Sequence, residues 1–222
     1  MPLATPTTRT PPTRRAADLA YDALEALIST LQLQPGSAVV EADLVALTGL
    51  GRTPVREALL RMVSIGLVVQ QPRRGLLVSH IDLAEYLDVI ATRRALEALI
   101  AACSARRATP AQRDALVQRA QDMVNTAESG DLDAYMRADH ALDVVNHQAC
   151  ANAPAVKCVI PLIVQCRRFW YAYQSEGDIV RAADAHMALA QGIASGDEAR
   201  AVAGAHQLMD YLQQYARRVI ER

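Results

Sequence analysis

From residue 83 to residue 220 one helical segment follows another, and no alternating strand pattern competes with them. That confines most of the chain to an antiparallel helical bundle. The segments fall near 83–107, 111–129, 131–150, 155–175, 178–195 and 197–220. Residues that start or stop helices sit in the gaps: Thr109–Pro110, Ser129–Gly130, Asn152–Pro154, Glu176–Gly177 and Ser195–Gly196. Alanine and leucine dominate the packing faces, so the expected fold class is mainly all-α.

With 222 residues the chain has room for a second, smaller unit ahead of the bundle. It opens on "MPLATPTTRTPPTRR", rich in Pro, Thr and Arg and free of acids. Residues 1–15 therefore read as a disordered arm, unable to bury enough surface to offset ordering. A transit peptide shares that composition but is usually amphipathic, which ranks it lower. No apolar h-region follows the N-terminus and no uncharged apolar run reaches a membrane span, so the expectation is a soluble, cytoplasmic protein. Cys103, Cys150, Cys158 and Cys166 form no C-x-x-C pair and read as reduced thiols. A net charge of −1 says nothing for or against a polyanionic partner.

Between the arm and the bundle, residues 16–80 have their own pattern. Leu19, Ala23, Leu27 and Leu31 recur every four residues, flanked by Ala20, Leu24 and Ile28, which predicts a helix with a broad buried face. Pro35–Gly36 ends it, and a short helix over Glu41–Leu47 follows. After the break at Thr48–Gly51 comes "RTPVREALLRM". There Thr53 is placed as N-cap and Pro54 at the first helical position. Val55, Leu59, Met62 and Val63 form the inward stripe. Arg52, Thr53 and Arg56 lie off that stripe, near the helix N-terminus. In a helix-turn-helix this is the end that reaches bases and phosphates, and an arginine fork suits either. Two apolar runs, Leu67–Val69 and Leu76–Val78, then flank "QPRRG", a hairpin with a basic tip. Arg73 and Arg74 are placed to straddle a groove, and Gly75 to let backbone come close. Three helices followed by a hairpin is the order of a winged helix. Taken singly, the arginines are ordinary surface charges and "PRRG" an ordinary turn; together, in this order, they point to DNA.

Residues 16–79 resemble the winged-helix domain of GntR-family bacterial transcription regulators. The resemblance rests on "LQPG", the Glu41–Leu44–Ala46 helix, "GRTPVREAL" (Gly51–Leu59), "GLV" (Gly66–Val68) and "RRG" (Arg73–Gly75). It implies DNA contacts from Arg52, Thr53 and Arg56, a wing tip at Gly75, and phosphate or groove contacts from Arg73 and Arg74. Some relatives carry an extra basic residue before the second helix; this chain has Val39, Val40 and Glu41 there.

Residues 83–215 resemble, more loosely, the all-helical FCD-type effector domain of the FadR branch, through "RRALEALIAA" (Arg93–Ala102), Asn152, His186 and Gly196–Asp197. The resemblance implies a homodimer, a cavity that binds a small carboxylic acid, and often a metal held by Asp-x-x-x-His and two later histidines. Here Asp139 fills the Asp slot, but Asp143 stands where the first histidine is expected. His186 fits the next slot, while the last falls on Leu208, two residues past His206. His140 and His147 lie nearby. Asp139, Asp143 and His186 would suit zinc, manganese or nickel, or they are the polar remnants of a cavity that holds no metal. Arg93 either lines the pocket or makes an i,i+4 pair with Glu97 on a solvated face. In "RRFWYAY" (Arg167–Tyr173), Arg167 or Arg168 clamps a carboxylate beside the rings, or the segment is packed core or dimer contact. His80 reads as a surface residue.

The expectation is thus a ligand-responsive bacterial DNA-binding regulator, a repressor released from a pseudo-palindromic operator by a small organic acid, with residues 81–222 as effector-binding and dimerisation domain. Two alternatives stand beside it: a regulator whose second half only dimerises, and a metalloenzyme built on Asp139, Asp143 and His186. The latter lacks H-E-x-x-H, an activated nucleophile and a phosphate loop.

Overall fold

A computed structural model describes residues 15–176 and 178–221. Apart from Arg15, the arm expected at 1–15 lies outside the described residues. Helix α1 (Ala16–Ser29) buries Ala20, Tyr21, Leu24 and Ile28, the flank of the four-residue repeat. Of the repeat itself Leu19 is exposed, Ala23 and Leu27 are half-buried and Leu31 lies past the helix end. It stops where the Thr30 hydroxyl donates to Ala26 O at 2.8 Å. A turn through Pro35–Gly36, with Gly36 at φ +80°, brings Ala38 onto Leu77 as an isolated bridge. Helix α2 (Glu41–Thr48) and helix α3 (Arg52–Ser64) are joined at Gly49, whose φ of 67° needs a residue free to turn left-handed. Strands β1 (Val68–Gln71) and β2 (Gly75–Val78) pair antiparallel, from Val68 opposite Val78 to Gln71 opposite Gly75. Leu24, Ile28, Leu44, Val55, Leu59, Met62, Leu67 and Val78 fill the space between helices and hairpin.

The start of α3 corrects the sequence reading. Gly51, not Thr53, is the N-cap; Arg52 is the first helical residue, Thr53 the second and Pro54 the third. Proline is tolerated there because the first-turn amides have no intrahelical acceptor.

The bundle follows the expected breaks closely: α4 (Tyr86–Arg107), α5 (Pro110–Ser129), α6 (Leu132–Cys150), α7 (Ala153–Ala172), a 3₁₀ turn at Gln174–Glu176, α8 (Ile179–Ala194) and α9 (Glu198–Ile220). Thr109 and Gln112 form a reciprocal capping box, and the side chains of Asp131, Asn152, Asp178 and Asp197 accept first-turn amides. Helices α8 and α9 meet backbone to backbone. A Cβ on Gly204 would lie 2.7 Å from Leu189 Cα, and one on Gly192 2.7 Å from Arg200 O. The rings of "RRFWYAY" are largely core: Phe169 stacks on Tyr86 at 3.7 Å and meets Tyr215 edge-on at 5.5 Å.

The two halves share helix α7. Val164 is fully buried within the apolar cluster of the winged helix.

Candidate functional site

On the winged helix, Arg52, Thr53 and Arg56 are exposed along α3, with Glu57 and Leu60 continuing the same face. Gly51 gives no side-chain cap to α3. The amides of Arg52 and Thr53 therefore add their partial positive charge to the Arg52 and Arg56 guanidinium groups, an arrangement suited to a phosphate. Arg56 is held by Glu41 at the start of α2, Nε to Oε2 at 2.9 Å and Nη2 to Oε1 at 3.1 Å. This two-pronged bond raises the affinity of Arg56 for its proton. It also aims the guanidinium along the outer face of the helix pair.

At the wing, Arg74 N–H donates to Gln71 O at 3.2 Å, closing a turn with Pro72 and Arg73 at its centre. Arg73 has a φ of 65° and Gly75 one of 78°. Glycine takes such a φ freely; an arginine does so at a cost of about 1–2 kcal/mol. The chain thus keeps a cationic side chain at a backbone position that favours glycine. Arg73 and Arg74 are both exposed.

Inside the bundle Arg93, Tyr135, Asp139, Arg167, Trp170 and His186 line a cavity of about 30 Å³, the space of one water molecule. Its charged groups are already paired with one another, while the buried Tyr135 hydroxyl has no partner among the described residues. Arg167 Nε donates to Asp139 Oδ2 at 2.5 Å, and Nη2 to Asp143 Oδ2 at 2.6 Å. Nη1 donates to Glu25 Oε1 at 3.3 Å and lies 3.3 Å from His140 Nδ1. His186 Nε2 is 3.1 Å from Asp139 Oδ1, and its Nδ1 faces Ala182 O at 2.7 Å. Arg93 makes the expected i,i+4 bond to Glu97, Nε to Oε1 at 2.9 Å. The pair is buried rather than solvated, at 5% and 2% exposure, so pocket lining and ion pairing are both properties of Arg93.

Charge follows from these contacts. Burial alone would raise the Asp139 carboxyl, but Arg167 and His186 hold it well below the usual carboxylate range. Burial would lower His186, yet the hydrogen bond and charge of Asp139 raise it above its ordinary value. With acceptors on both ring nitrogens, His186 is suited to the doubly protonated imidazolium. Glu25 is raised, chiefly by desolvation, with Arg167 and His140 opposing.

These residues do not fit a divalent metal. Arg167 places a guanidinium between Asp139 and Asp143, where a metal would have to share both oxygens. His186 turns one nitrogen to a carbonyl and the other to a carboxylate, leaving no lone pair for coordination. Among the described residues no group of three or more His, Cys, Asp or Glu is arranged to hold a metal ion. His206 is exposed, Leu208 is buried in its place, and His147 is half-buried with its Nε2 unpaired. His80 is exposed, packed over Gly36.

Two placements differ from the sequence reading. Arg168 does not line the bundle cavity; it reaches the end of the wing, donating from Nη1 to Ser79 Oγ at 3.0 Å and from Nη2 to the Ser79 carbonyl. Desolvation pulls its pKa down to about 10. Glu25 was missed altogether. Its signal lay in the register of α1, where it stands four residues after Tyr21 and three before Ile28, an acid on a buried face.

The family described as "Bacterial regulatory proteins, gntR family" matches residues 16–78, and the FCD domain family matches residues 88–211. A Streptomyces ambofaciens protein described as an uncharacterized HTH-type transcriptional regulator is 36% identical over 129 residues, 58% of this chain and 52% of its own length. The HTH-type transcriptional repressor RspR of Escherichia coli (strain K12) is 27% identical over 128 residues, 58% of this chain and 56% of its own. The matched part spans about half the length of these curated relatives. The solved structure of E. coli McbR/YncC has the same fold, with a TM-score of 0.77 at 18% identity over 94% of this chain and 99% of that one. No helix among the described residues is long and apolar enough to cross a membrane. A winged helix followed by an FCD bundle, each matched by its own family, places this chain in the gntR family of bacterial regulatory proteins, in its FCD-domain branch.

Proposed function

We propose that the protein is a dimeric, DNA-binding transcription regulator, with residues 16–80 as its operator-reading domain and residues 81–222 as its effector-binding and dimerising domain. The observation that carries this is the uncapped N-terminus of α3, where Arg52, Thr53 and Arg56 stand exposed beside a wing tipped by Arg73 and Arg74. Two such faces related by a two-fold axis would read the halves of a pseudo-palindrome. The full-length chain should therefore enrich a two-fold symmetric site from a randomised duplex pool, and Arg52→Ala/Arg56→Ala should enrich none. Equal enrichment by both, or none by the wild type, refutes the reading.

The effector reading rests on the buried polar cluster of the FCD bundle. A small organic acid would engage Arg93 or Arg167 and displace a carboxylate of the protein, opening a cavity that now has room for a single water. The site works without a metal, since Arg167 supplies the positive charge between the two aspartates. Release from DNA on binding, as in a repressor, follows if the acid prefers the conformation whose α3 helices are mis-spaced for the operator. RspR, a relative of this chain, is described as a repressor. A thermal-shift screen of small organic acids tests the site: stabilisation that disappears in Arg93→Met supports it, and none with any acid favours a bundle that only dimerises.

A further inference from the structure

Among the described residues, Arg167 is the one side chain whose hydrogen bonds join the bundle cavity to the winged helix through three carboxylates. Its Nε and Nη2 hold Asp139 and Asp143 of α6 at 2.5 and 2.6 Å, while Nη1 holds Glu25 of α1 at 3.3 Å. All four residues are more than nine-tenths buried. The guanidinium is a rigid planar fork, so its three ends cannot be adjusted independently. The two α6 bonds are already at the short limit for N–H···O, so a displacement of a few tenths of an ångström runs away from α6, lengthening them as Nη1 closes on Glu25. Glu25 holds the longest of the three bonds and shares Nη1 with His140, which leaves it the most weakly held of the three. Water is close at hand: clefts of about 410 and 420 Å³ flank the junction, and Glu25, His140 and Arg167 line both. The next residue, Arg168, clamps Ser79 at the end of the wing, so hydrogen bonds from α7 grip the winged helix at two places beside the packing of Val164.

We propose that Arg167 is a shared tie whose hold on the α6 aspartates is traded against its hold on Glu25, so that events at the cavity set how firmly α1 docks on the bundle. This rests on the regulatory reading above, for which it supplies the link between effector site and DNA-reading face. Arg167 acts here as a positioning residue.

A trade makes a prediction that a simple brace does not. Hydrogen exchange of the full-length chain, without DNA or ligand, is followed in peptides covering α1, residues 79–85 and α6. Glu25→Gln removes the charge at one end: α1 should exchange about tenfold faster and the Asp139 region of α6 more slowly. Asp143→Asn removes it at the other: α1 should exchange more slowly and α6 faster. In Glu25→Gln/Asp143→Asn the changes in α1 should largely cancel. If both single variants speed exchange in both helices, Arg167 is only a brace and the proposal is overturned. Should either variant fold poorly, Arg167→Lys reports the same trade: one ammonium cannot span three carboxylates, so one of α1 and α6 should exchange faster while the other is unchanged or slower, and faster exchange in both overturns the proposal. A same-sign result leaves the DNA reading standing, and a failed operator selection leaves this measurement intact.

Discussion

Replacing Arg167 by methionine should be among the most damaging single substitutions in the chain. Methionine fills much the same length without charge or donors. It leaves Asp139 with His186 as its remaining partner, strands Asp143 and leaves Glu25 with Tyr21 and a His140 ring 3.9 Å away; these two carboxylates are 9% and 7% exposed. Removing one partner of a buried ion pair costs about 3–5 kcal/mol. For a domain of this size each kcal/mol moves the unfolding midpoint by about 2–4 °C, so the drop should be about 6–20 °C at pH 7. Two features make the explanation specific. The loss should shrink at pH 5, because the Glu25 carboxyl, which burial already raises, takes up a proton more readily once Arg167 no longer opposes it. A second substitution, Asp143→Asn, should recover part of the loss in Arg167→Met although it weakens the wild type. The assay is thermal unfolding at one fixed protein concentration, since dimerisation would otherwise shift the midpoint. A drop below about 2 °C, corresponding to less than 1 kcal/mol, or a double variant worse than Arg167→Met, would show that the carboxylates do not depend on this guanidinium.

At the wing, Arg73→Gly should leave stability within about 0.5 kcal/mol, because relief of the left-handed φ is offset by the greater freedom of glycine in the unfolded chain. The log–log salt dependence of DNA binding should nevertheless fall by about one charge, and an unchanged slope would remove Arg73 from the phosphate contacts. Gly204→Ala drives a Cβ into the Leu189 backbone and should cost about 1–3 kcal/mol in denaturant unfolding; a neutral result would mean that α8 and α9 can separate freely. His186 has a folded-state pKa above its ordinary 6.5. Its bond to Asp139 therefore stabilises fully below about pH 6.5 and is lost as pH rises through the folded value. The wild-type melting temperature should fall across that range relative to His186→Gln, and parallel curves for the two would contradict the charged imidazolium.

Most of the architecture was legible because helix boundaries here are written in local chemistry. Thr109 with Gln112, Asp131, Asn152, Asp178 and Asp197 cap their helices through their own side chains, and Gly130 and Gly196 end theirs at positive φ. Where no side chain marks the boundary, as at Gly51, the start of α3 was misplaced by the plausible cap at Thr53. The cavity was legible in its members but not in its pairings. Asp139, Asp143, Arg93, Arg167 and His186 could be gathered along the chain by helical spacing and resemblance. That Arg167 would lie between the aspartates depends on α7 crossing α6, a long-range fact with no local signature. Glu25 lies 142 residues from its partner, so only its awkward place on an apolar face could have flagged it. Arg168 was unreadable for the same reason: adjacent arginines on a helix diverge by about 100°, and which neighbour each meets is decided by packing.

Val164 carries a practical consequence for anyone who would recombine such proteins. Because this one methyl-bearing side chain of α7 completes the apolar interior of the winged helix, a cut after residue 80 opens a notch in the piece that is meant to stand alone. Chimeras that join this DNA reader to a foreign sensor will need the matching stretch of α7 grafted along with it, or a repacked α1 to close the gap.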